Sequence, residues 1–339
     1  MPVKTPVKPP VKPSARPQKM MRPKESTASA MIDKIPIALV LSLASPYLAG
    51  QHPEEAIELA HKIRSQKGYT STLDILGEDM DSDLTCDASV EQYKKLADAI
   101  CANPINVEDS REQLTISLKP SMFSTKAPGE AGAEAELARA ASRIEAVTAY
   151  AKEKGLNVTL EAEDHRWTDF HLDTYFNLIE KGLTNLGTVI QTRLFRTEQD
   201  LARFDDRTRV RLVIGIYNEP EAIALTDKAE MKKLLVRYAG MLLDQGAYVE
   251  IATHDQSCIE SFMQDVVLPK RIEKNRFEFQ FLHGVPREEL QNKLHDHGML
   301  VRKYLPFGKA NVAGAYCRRR LKENPNMISY GIKNLFRLQ

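Results

Sequence analysis

The chain has 339 residues, a formal net charge of +1, 42% apolar residues and four cysteines. This length suits one large α/β barrel or two ordinary domains, and the balanced charge argues against bulk binding of nucleic acid. The cysteines form no CxxC pair, which is typical of a reduced intracellular protein. The longest apolar run, 35–50, is interrupted by Pro36 and Pro46 and is too short to span a bilayer.

The first 24 residues contain seven prolines and seven lysines or arginines before the first acidic residue, Glu25. A segment of this composition cannot bury enough apolar surface to become ordered. We therefore predict a disordered tail over residues 1–30. A targeting peptide is the alternative interpretation, but the dense prolines oppose the amphipathic helix that such peptides form.

Beyond two predicted helices, 35–49 and 53–66, short apolar runs alternate with helical patterns. The predicted strands are a run ending at Gly77 and then LTISLK (114–119), NVTLEAE (157–163), GTVIQTRL (187–194), RVRLVIGIY (209–217), YVEIAT (248–253), FEFQFL (277–282) and MLVRKY (299–304). The predicted helices that alternate with them are 89–102, 133–154, 170–181, 198–204, 227–245, 256–266, 287–296 and 311–322. Eight such units predict a closed (β/α)8 TIM-like barrel with an N-terminal helical extension.

The same pattern divides the chain into four predicted segments. These are a disordered tail (1–30), the N-terminal helices and first strand leading into the barrel (31–110), the barrel proper (111–325) and a C-terminal tail (326–339). No internal repeat is evident.

In a barrel of this kind, functional groups gather at the carboxyl ends of the strands. Those ends carry Lys119, Glu161, Glu163, Gln191, Arg193, Tyr217, Thr253, His254, Leu282, His283 and Tyr304. Arg211 lies inside its strand, and a buried lysine or arginine is costly unless it is paired. Lys119 and Arg211 are therefore candidates for contact with an anion or a cofactor. The alternative for each is a structural ion pair with Glu161 or Glu163.

The segment 304–324 places three consecutive arginines, 318–320, on a predicted helix after the strand MLVRKY and a turn, LPFG. A guanidinium group matches a carboxylate or phosphate, but successive helical residues point about 100° apart, so at most two can meet one anion. Tyr304 and Tyr316 bracket the segment, which favours a small ligand with an acidic end and an apolar body. The alternative is a solvated basic helix with ion pairs to residues such as Glu323.

The histidines indicate a functional site less clearly than the arginines do. His254 has the chemistry of a general base, although a lone histidine at a strand end is more often structural. His295 and His297 form an HxH pair without a carboxylate partner at ligand spacing, so we predict no metal site. The sequence also contains no GxGxxG, GxxxxGK[ST] or GxSxG motif.

From about Ile35 to Asn324, the sequence resembles the proline dehydrogenase family. The segments that carry the resemblance, in family order, are TLDILGE, ISLK, LEAED, VIQTRL, RLVIGIY, ATHD, FQFLHG, RKYLPFG and YCRRRLKEN. The resemblance implies an FAD-dependent enzyme that oxidises L-proline to 1-pyrroline-5-carboxylate by hydride transfer to flavin N5. This reaction is the first step of proline catabolism, and the electrons pass on to a quinone or another acceptor.

The resemblance also assigns roles to residues. The substrate carboxylate is assigned to Lys119, Arg319 and Arg320, and the walls around the ring to Tyr217, Leu282, Tyr304 and Tyr316. Arg211 is assigned to the flavin near N5, and the other FAD contacts are Gln191, Thr253, His254 and Glu323. Lys119, Arg211 and Tyr304 are thereby the expected catalytic residues. The resemblance further implies a cytoplasmic enzyme with peripheral membrane association, or a mitochondrial one in a eukaryote, and it leaves the oligomeric state open.

Two positions depart from the family pattern. Ile214 replaces the usual lysine of an RLVKGAY-type motif, and Asp255 replaces the usual asparagine of ATHN. A regular strand places Ile214 on the face opposite Arg211 and Tyr217. Ile214 and Asp255 keep open the alternative of a flavin-free barrel that binds an amino acid without catalysis. A hydroxyproline dehydrogenase is a separate alternative, although Tyr304 at the wall favours the unsubstituted ring.

Overall fold

The architecture is a closed barrel of eight parallel strands, seen in a computed structural model that describes residues 35–77 and 80–323. Each strand pairs with the next along the chain, and the first pairs with the last. The strands are β1 (Thr70–Ile75), β2 (Thr115–Leu118), β3 (Val158–Leu160), β4 (Leu186–Gln191), β5 (Arg209–Val213), β6 (Tyr248–Ala252), β7 (Phe277–Leu282) and β8 (Val301–Phe307). The predicted (β/α)8 barrel is confirmed.

Helices surround the strands and also precede them. They are α1 (Ile37–Ala44), α2 (Pro53–Lys67), α3 (Asp83–Ala102), α4 (Ala133–Glu153), α5 (Thr168–Glu180), α6 (Thr197–Leu201), α7 (Lys228–Asp244), α8 (Gln256–Phe262), α9 (Leu268–Lys270), α10 (Glu288–Asp296) and α11 (Ala310–Glu323). Because α1 and α2 come before β1, the predicted N-terminal helical extension is confirmed. Among these helices, none combines the length and apolarity needed to cross a membrane.

Local signals in the sequence fix several helix ends. The Ser82 hydroxyl accepts a hydrogen bond from the Thr85 amide, and the Thr85 hydroxyl accepts one from the Ser82 amide. This capping box starts α3 six residues before the predicted helix at 89. The Asp227 carboxylate caps α7 by accepting from the amides of Ala229 and Glu230. Helix α2 ends at Gly68, whose φ of 72° suits glycine.

Four predicted strands end three or more residues away from their predicted ends, and one of them, β4, stops at Gln191 rather than at 194. Strand β5 stops at Val213 rather than at 217, because Gly215 adopts a φ of 99° that breaks the extended backbone. Strand β3 stops at Leu160, well before 163. Strand β8 runs on through Phe307, so the predicted LPFG turn is wrong; Pro306 lies opposite Asp74 of β1 and stays in the ladder.

Two helices also differ from prediction. Helix α1 ends at Ala44 rather than near 49, and a 3-10 turn over Ser45–Tyr47 follows it because Pro46 lacks the amide that would continue the helix. The helix predicted over 256–266 changes to a π-helix over Met263–Val267. The predicted tails, 1–30 and 326–339, lie outside the described residues.

The N-terminal extension covers one side of the barrel mouth. Val40 and Ala44 of α1, with Tyr47, form a buried apolar cluster with Tyr316 of α11. A β-carbon on Gly314 of α11 would lie 2.6 Å from the Ile37 side chain, so the absence of a side chain lets α1 and α11 approach closely. The extension therefore packs against the helix that carries the arginine cluster.

Candidate active site

A cavity of about 320 Å³ lies at the carboxyl ends of the strands, where barrel enzymes place their chemistry. Every predicted site residue whose side chain the structure describes borders it. These residues are Lys119, Gln191, Arg211, Tyr217, Thr253, His254, Leu282, Tyr304 and Tyr316. The side chains of Arg319, Arg320 and Glu323 lie outside the described part of the chain, although the backbone of α11 includes all three.

Arg211 and Glu161 form the charged centre of the cavity. The Arg211 Nη1 atom donates to Glu161 Oε1 at 2.5 Å, and the same oxygen accepts from Ser117 Oγ at 2.5 Å and from the Tyr304 hydroxyl at 3.0 Å. The guanidinium carbon also lies 5.2 Å from the centre of the Tyr304 ring. Burial opposes ionisation of Glu161, but Arg211 outweighs it and lowers the carboxyl pKa. The predicted alternative of an ion pair between these two residues is thus realised.

Arg211 is nevertheless incompletely paired. Only 3% of the residue is exposed, yet its Nη2 atom has no hydrogen-bond partner within the described residues. A buried guanidinium nitrogen without an acceptor is costly, because desolvation is not offset by a hydrogen bond. Such a group at a cavity wall is suited to an acceptor atom on a ligand.

Lys119 is held by a partner that differs from the predicted one. Its Nζ atom donates to Asp74 Oδ1 at 2.5 Å and to the Ile75 carbonyl at 3.0 Å, not to Glu161 or Glu163. Burial lowers the pKa of Lys119, but the Asp74 carboxylate outweighs it and the net shift is upward. Since an ammonium group has three donors, one N–H remains for a ligand. The ammonium nitrogen lies 6.0 Å from the centre of the Tyr316 ring.

The end of β5 brings an unexpected residue to the cavity. Because the strand stops at Val213, the alternation of faces ends there, and both Ile214 and Tyr217 border the cavity. The prediction that Ile214 lies opposite Arg211 and Tyr217 is therefore wrong. Gly215 makes this turn; a β-carbon there would lie 2.5 Å from Gln191 Oε1 and 2.9 Å from the Arg193 side chain.

His254 acts as a neutral hydrogen-bond acceptor. Its Nε2 atom accepts from the Leu282 amide at 3.0 Å, which places the ring proton on Nδ1. Burial, assisted by Lys303 and Arg287, lowers the pKa of His254 to about 4. His283, on the next strand end, likewise has a pKa lowered by burial to about 4. The structural interpretation of His254 fits these contacts, and the ring still borders the cavity.

Asp255, the second departure from the family pattern, is neutralised locally. Its carboxylate accepts from the Cys258 amide at 2.9 Å and caps α8, and it lies 2.5 Å from Lys232 Nζ. The charge that this residue adds near the cavity is thus balanced by a lysine and a helix N-terminus.

Sequence reasoning missed four polar residues that support the cavity: Asp74, Ser117, His165 and Glu219. Asp74 had a signal, because an acidic residue inside the apolar run TLDIL predicts a buried partner. Glu219 and His165 had none, because the contact between them joins loops 54 residues apart and depends on the closed barrel.

The comparisons with known proteins agree with this geometry. The family model for proline dehydrogenase matches residues 56–330. The chain is 34% identical over 298 residues to the proline dehydrogenase of Deinococcus radiodurans, and 30% identical over 295 residues to proline dehydrogenase 1 of Bacillus subtilis strain 168. In both cases the alignment covers 87% of this chain and 91% of the relative.

A solved structure extends the comparison to the fold. Proline utilization A from Bdellovibrio bacteriovorus, inactivated by N-propargylglycine, aligns with a TM-score of 0.76 and 25% identity. The alignment covers 85% of this chain but only 33% of that longer protein. The family match spans most of the barrel, and the relatives are matched over nearly their full length. The chain therefore belongs to the proline dehydrogenase family and is an enzyme of that family.

Proposed function

We propose that this enzyme uses FAD to oxidise L-proline to 1-pyrroline-5-carboxylate in the cavity at the barrel mouth. The observation that carries the proposal is Arg211, a buried cation on the cavity wall whose Nη2 atom has no acceptor among the described residues. A cofactor whose ring edge carries acceptor atoms would supply what this nitrogen lacks.

Two further features fit a flavin. The Gln191 Oε1 atom is buried and has no hydrogen-bond partner among the described residues, so an acceptor is available as well as a donor. Gly215 borders the cavity beside it, where any side chain would crowd Gln191. Thr253 and the Nδ1–H group of His254 complete the proposed contacts on this side, with Glu323 contributing from α11. When bound, FAD would supply the hydride acceptor at N5 and would then pass two electrons to a second acceptor.

The substrate carboxylate is assigned to Lys119, Arg319 and Arg320. Lys119 stays charged because its pKa is raised beside Asp74, and its remaining N–H group is free to donate. Several cations on one carboxylate fix the orientation of the ring, and this positioning lowers the entropy cost of the reaction. Tyr217, Leu282, Tyr304 and Tyr316 would enclose the apolar ring and exclude water from the hydride path.

The reaction balances without a protein nucleophile. A hydride leaves C5 of proline, the ring nitrogen loses a proton to solvent, and a carbon–nitrogen double bond forms. The chain's task is to orient a neutral amine and to tune the cofactor. Arg211 acts here, because a fixed cation beside the ring favours the more negative, reduced form.

Neither departure from the family pattern opposes FAD binding in this account. Ile214 borders the cavity as an apolar residue in place of a cation, and it is partly buried against the core. Asp255 is paired with Lys232. We therefore favour catalysis over the flavin-free alternative.

We also propose that the electrons pass to a quinone, and that the enzyme is cytoplasmic with peripheral association at the inner membrane. In a eukaryote the corresponding location is the mitochondrion. The solubility of quinones in bilayers motivates this placement. Reoxidation of the proline-reduced protein by a soluble quinone, in the absence of oxygen, tests the acceptor; a reduced flavin that persists with excess quinone argues for a different one.

Anaerobic addition of L-proline to the FAD-loaded protein tests the central reaction. We expect loss of the yellow flavin absorbance with proline and none with D-proline. A flavin spectrum that L-proline leaves unchanged would exclude the proposed reaction.

Tyr304→Ser addresses the hydroxyproline alternative. Removing the ring should open space beside the substrate, so the ratio of kcat/KM for 4-hydroxyproline to that for proline should rise. If the unmodified enzyme already prefers 4-hydroxyproline, the alternative substrate is correct.

A further inference from the structure

We propose that Glu219 is a positioning residue that fixes the amide orientation of Gln191 toward the cofactor. The inference rests on the proposed function, because it assigns to Glu219 a task that exists only if FAD binds. It concerns a buried carboxylate that neither the predicted site nor the reaction itself uses.

Glu219 is held between two loops and a strand end. Its side chain is only 1% exposed, and its Oε2 atom lies 2.7 Å from Nδ1 of His165, in the turn after β3. Its Oε1 atom accepts from Gln191 Nε2, at the end of β4, at 3.3 Å. Glu219 itself follows β5, so one carboxylate joins the carboxyl ends of three neighbouring strands.

The contacts leave the Gln191 amide only one orientation. Its nitrogen also donates to the Glu163 backbone carbonyl at 2.9 Å, so both hydrogens of the amide are directed at acceptors. Rotation of the amide by 180° would bring its oxygen against a carboxylate and a carbonyl, which is strongly unfavourable. The nitrogen is therefore fixed on the side of Glu219.

The amide oxygen is consequently fixed on the other side. It has no partner within the described chain and lies next to Gly215, whose backbone borders the cavity. An oxidised isoalloxazine ring has a single N–H donor, at N3, while its other edge atoms accept hydrogen bonds. A carbonyl oxygen from Gln191 suits that N–H, and the donors of Arg211 suit the acceptor atoms. Without Glu219, the amide could turn and present a donor to a donor.

Comparing Glu219→Leu with Glu219→Gln distinguishes the effect of the Gln191 amide orientation from the effect of the Glu219 charge. Leucine removes both the charge and the acceptor, so FAD should bind roughly three- to tenfold more weakly, the loss expected for one neutral hydrogen bond. The flavin midpoint potential should also rise, because an electron-rich oxygen no longer opposes the reduced ring. Glutamine removes the charge but keeps an acceptor oxygen for the Gln191 amide, so Glu219→Gln should restore affinity and potential to near the original values.

A second pair of variants tests whether the effect passes through Gln191. Gln191→Glu places two carboxylates face to face and should weaken FAD binding. Adding Glu219→Gln should recover part of the loss, because the new amide can donate to the carboxylate at position 191 while the Glu163 carbonyl still lacks its donor. In a Gln191→Met background, Glu219→Leu should change neither the FAD dissociation constant nor the potential. This charge-swapped pair keeps the test decisive even if Glu219→Leu fails to fold.

The measurements are FAD titration of apoprotein by fluorescence quenching, the flavin midpoint potential, and the melting temperature of each variant. Glu219→Leu with unchanged affinity and potential would overturn the inference, as would an effect that persists in the Gln191→Met background. If the unmodified protein binds no FAD, the proposed function itself fails and the inference falls with it. If the unmodified protein binds FAD but the Glu219 variants change neither the affinity nor the potential, only the inference about Glu219 is rejected.

Discussion

Two buried arginines, one deep in the barrel and one at its mouth, have the same exposure but different surroundings. Arg302 of β8 donates through Nε and Nη2 to Glu278 and through Nη1 to the carbonyls of Ser71 and Gln113. Arg211 of β5 donates through Nη1 to Glu161 and its Nε lies 3.3 Å from Glu250 Oε2, whereas its Nη2 has no acceptor in the part of the chain that the structure describes. Each residue is 3% exposed.

Because two equally buried arginines differ in their hydrogen-bond partners, burial of a charge does not by itself identify a functional site. The deep network pairs every charge: Arg209 and Arg302 are bonded to Glu250 and Glu278, and Gln280 donates to both carboxylates. It reaches the mouth at one point, where Glu250 Oε2 lies 3.3 Å from Arg211 Nε. At the mouth, the Nη2 donor of Arg211 and the Oε1 acceptor of Gln191 have no hydrogen-bond partner within the described residues. Incomplete pairing within a cavity wall is therefore the feature on which we base the proposed binding role of Arg211.

The largest expected effect comes from breaking the deep network. Arg302→Met leaves the Glu278 side chain buried without its main partner, so the free energy of unfolding should fall by about 3–5 kcal/mol. Chemical denaturation measures it. The control is Arg207→Met, which removes two exposed ion pairs, to Glu180 and Asp205, and should cost about 1 kcal/mol or less. Equal losses in the two variants would contradict the structural role of Arg302.

Lowering the pH should destabilise the barrel mouth more than the deep network. The pKa of His254 is lowered from 6.5 to about 4, so the unfolded chain binds more protons than the folded one between these pH values. Stability should therefore fall as pH falls from about 6.5 toward about 4, with this histidine contributing on the order of 2 kcal/mol between pH 7 and pH 5.

His254→Asn tests the contribution of that ring, with exposed His52→Asn as the control. Unfolding measured at both pH values should show a smaller acid loss for His254→Asn than for the control. An identical pH dependence in the two variants would show that the ring does not titrate as proposed.

The smallest effect is expected at Ile214. This residue borders the cavity, so a lysine there restores a cation near the proposed flavin, and Ile214→Lys should tighten FAD binding by no more than about tenfold. The matched control is Ile214→Met, which keeps the position apolar and should leave FAD affinity unchanged. If only the lysine variant binds FAD, the natural chain is a flavin-free relative.

Periodicity in the sequence predicted the order and number of strands, because parallel strands buried on both faces appear as short apolar runs between helical patterns. It failed at strand ends. The end of β5 depends on the conformation of Gly215, and the continuation of β8 through Pro306 depends on pairing with β1. Both are decided by neighbours that are distant in sequence.

Site residues followed from strand ends and family motifs, whereas their partners did not. Lys119 pairs with Asp74 because β1 and β2 align Asp74 with Ser117, a register that no local pattern specifies. Glu161 was a predicted partner of both Lys119 and Arg211, but it bonds only the latter of the two. It was predictable that these residues would border one cavity. The choice among nearby partners required the closed barrel.

The central claim is that the unpaired nitrogen of Arg211 marks a flavin site. FAD titration of the apoprotein by fluorescence quenching tests it in the unmodified chain, in Arg211→Met and in the surface control Arg237→Met. We expect one FAD per chain, a loss of roughly tenfold to over a hundredfold in affinity for Arg211→Met, and no change for Arg237→Met. An Arg211→Met protein that is folded and binds FAD as tightly as the unmodified chain would contradict the claim.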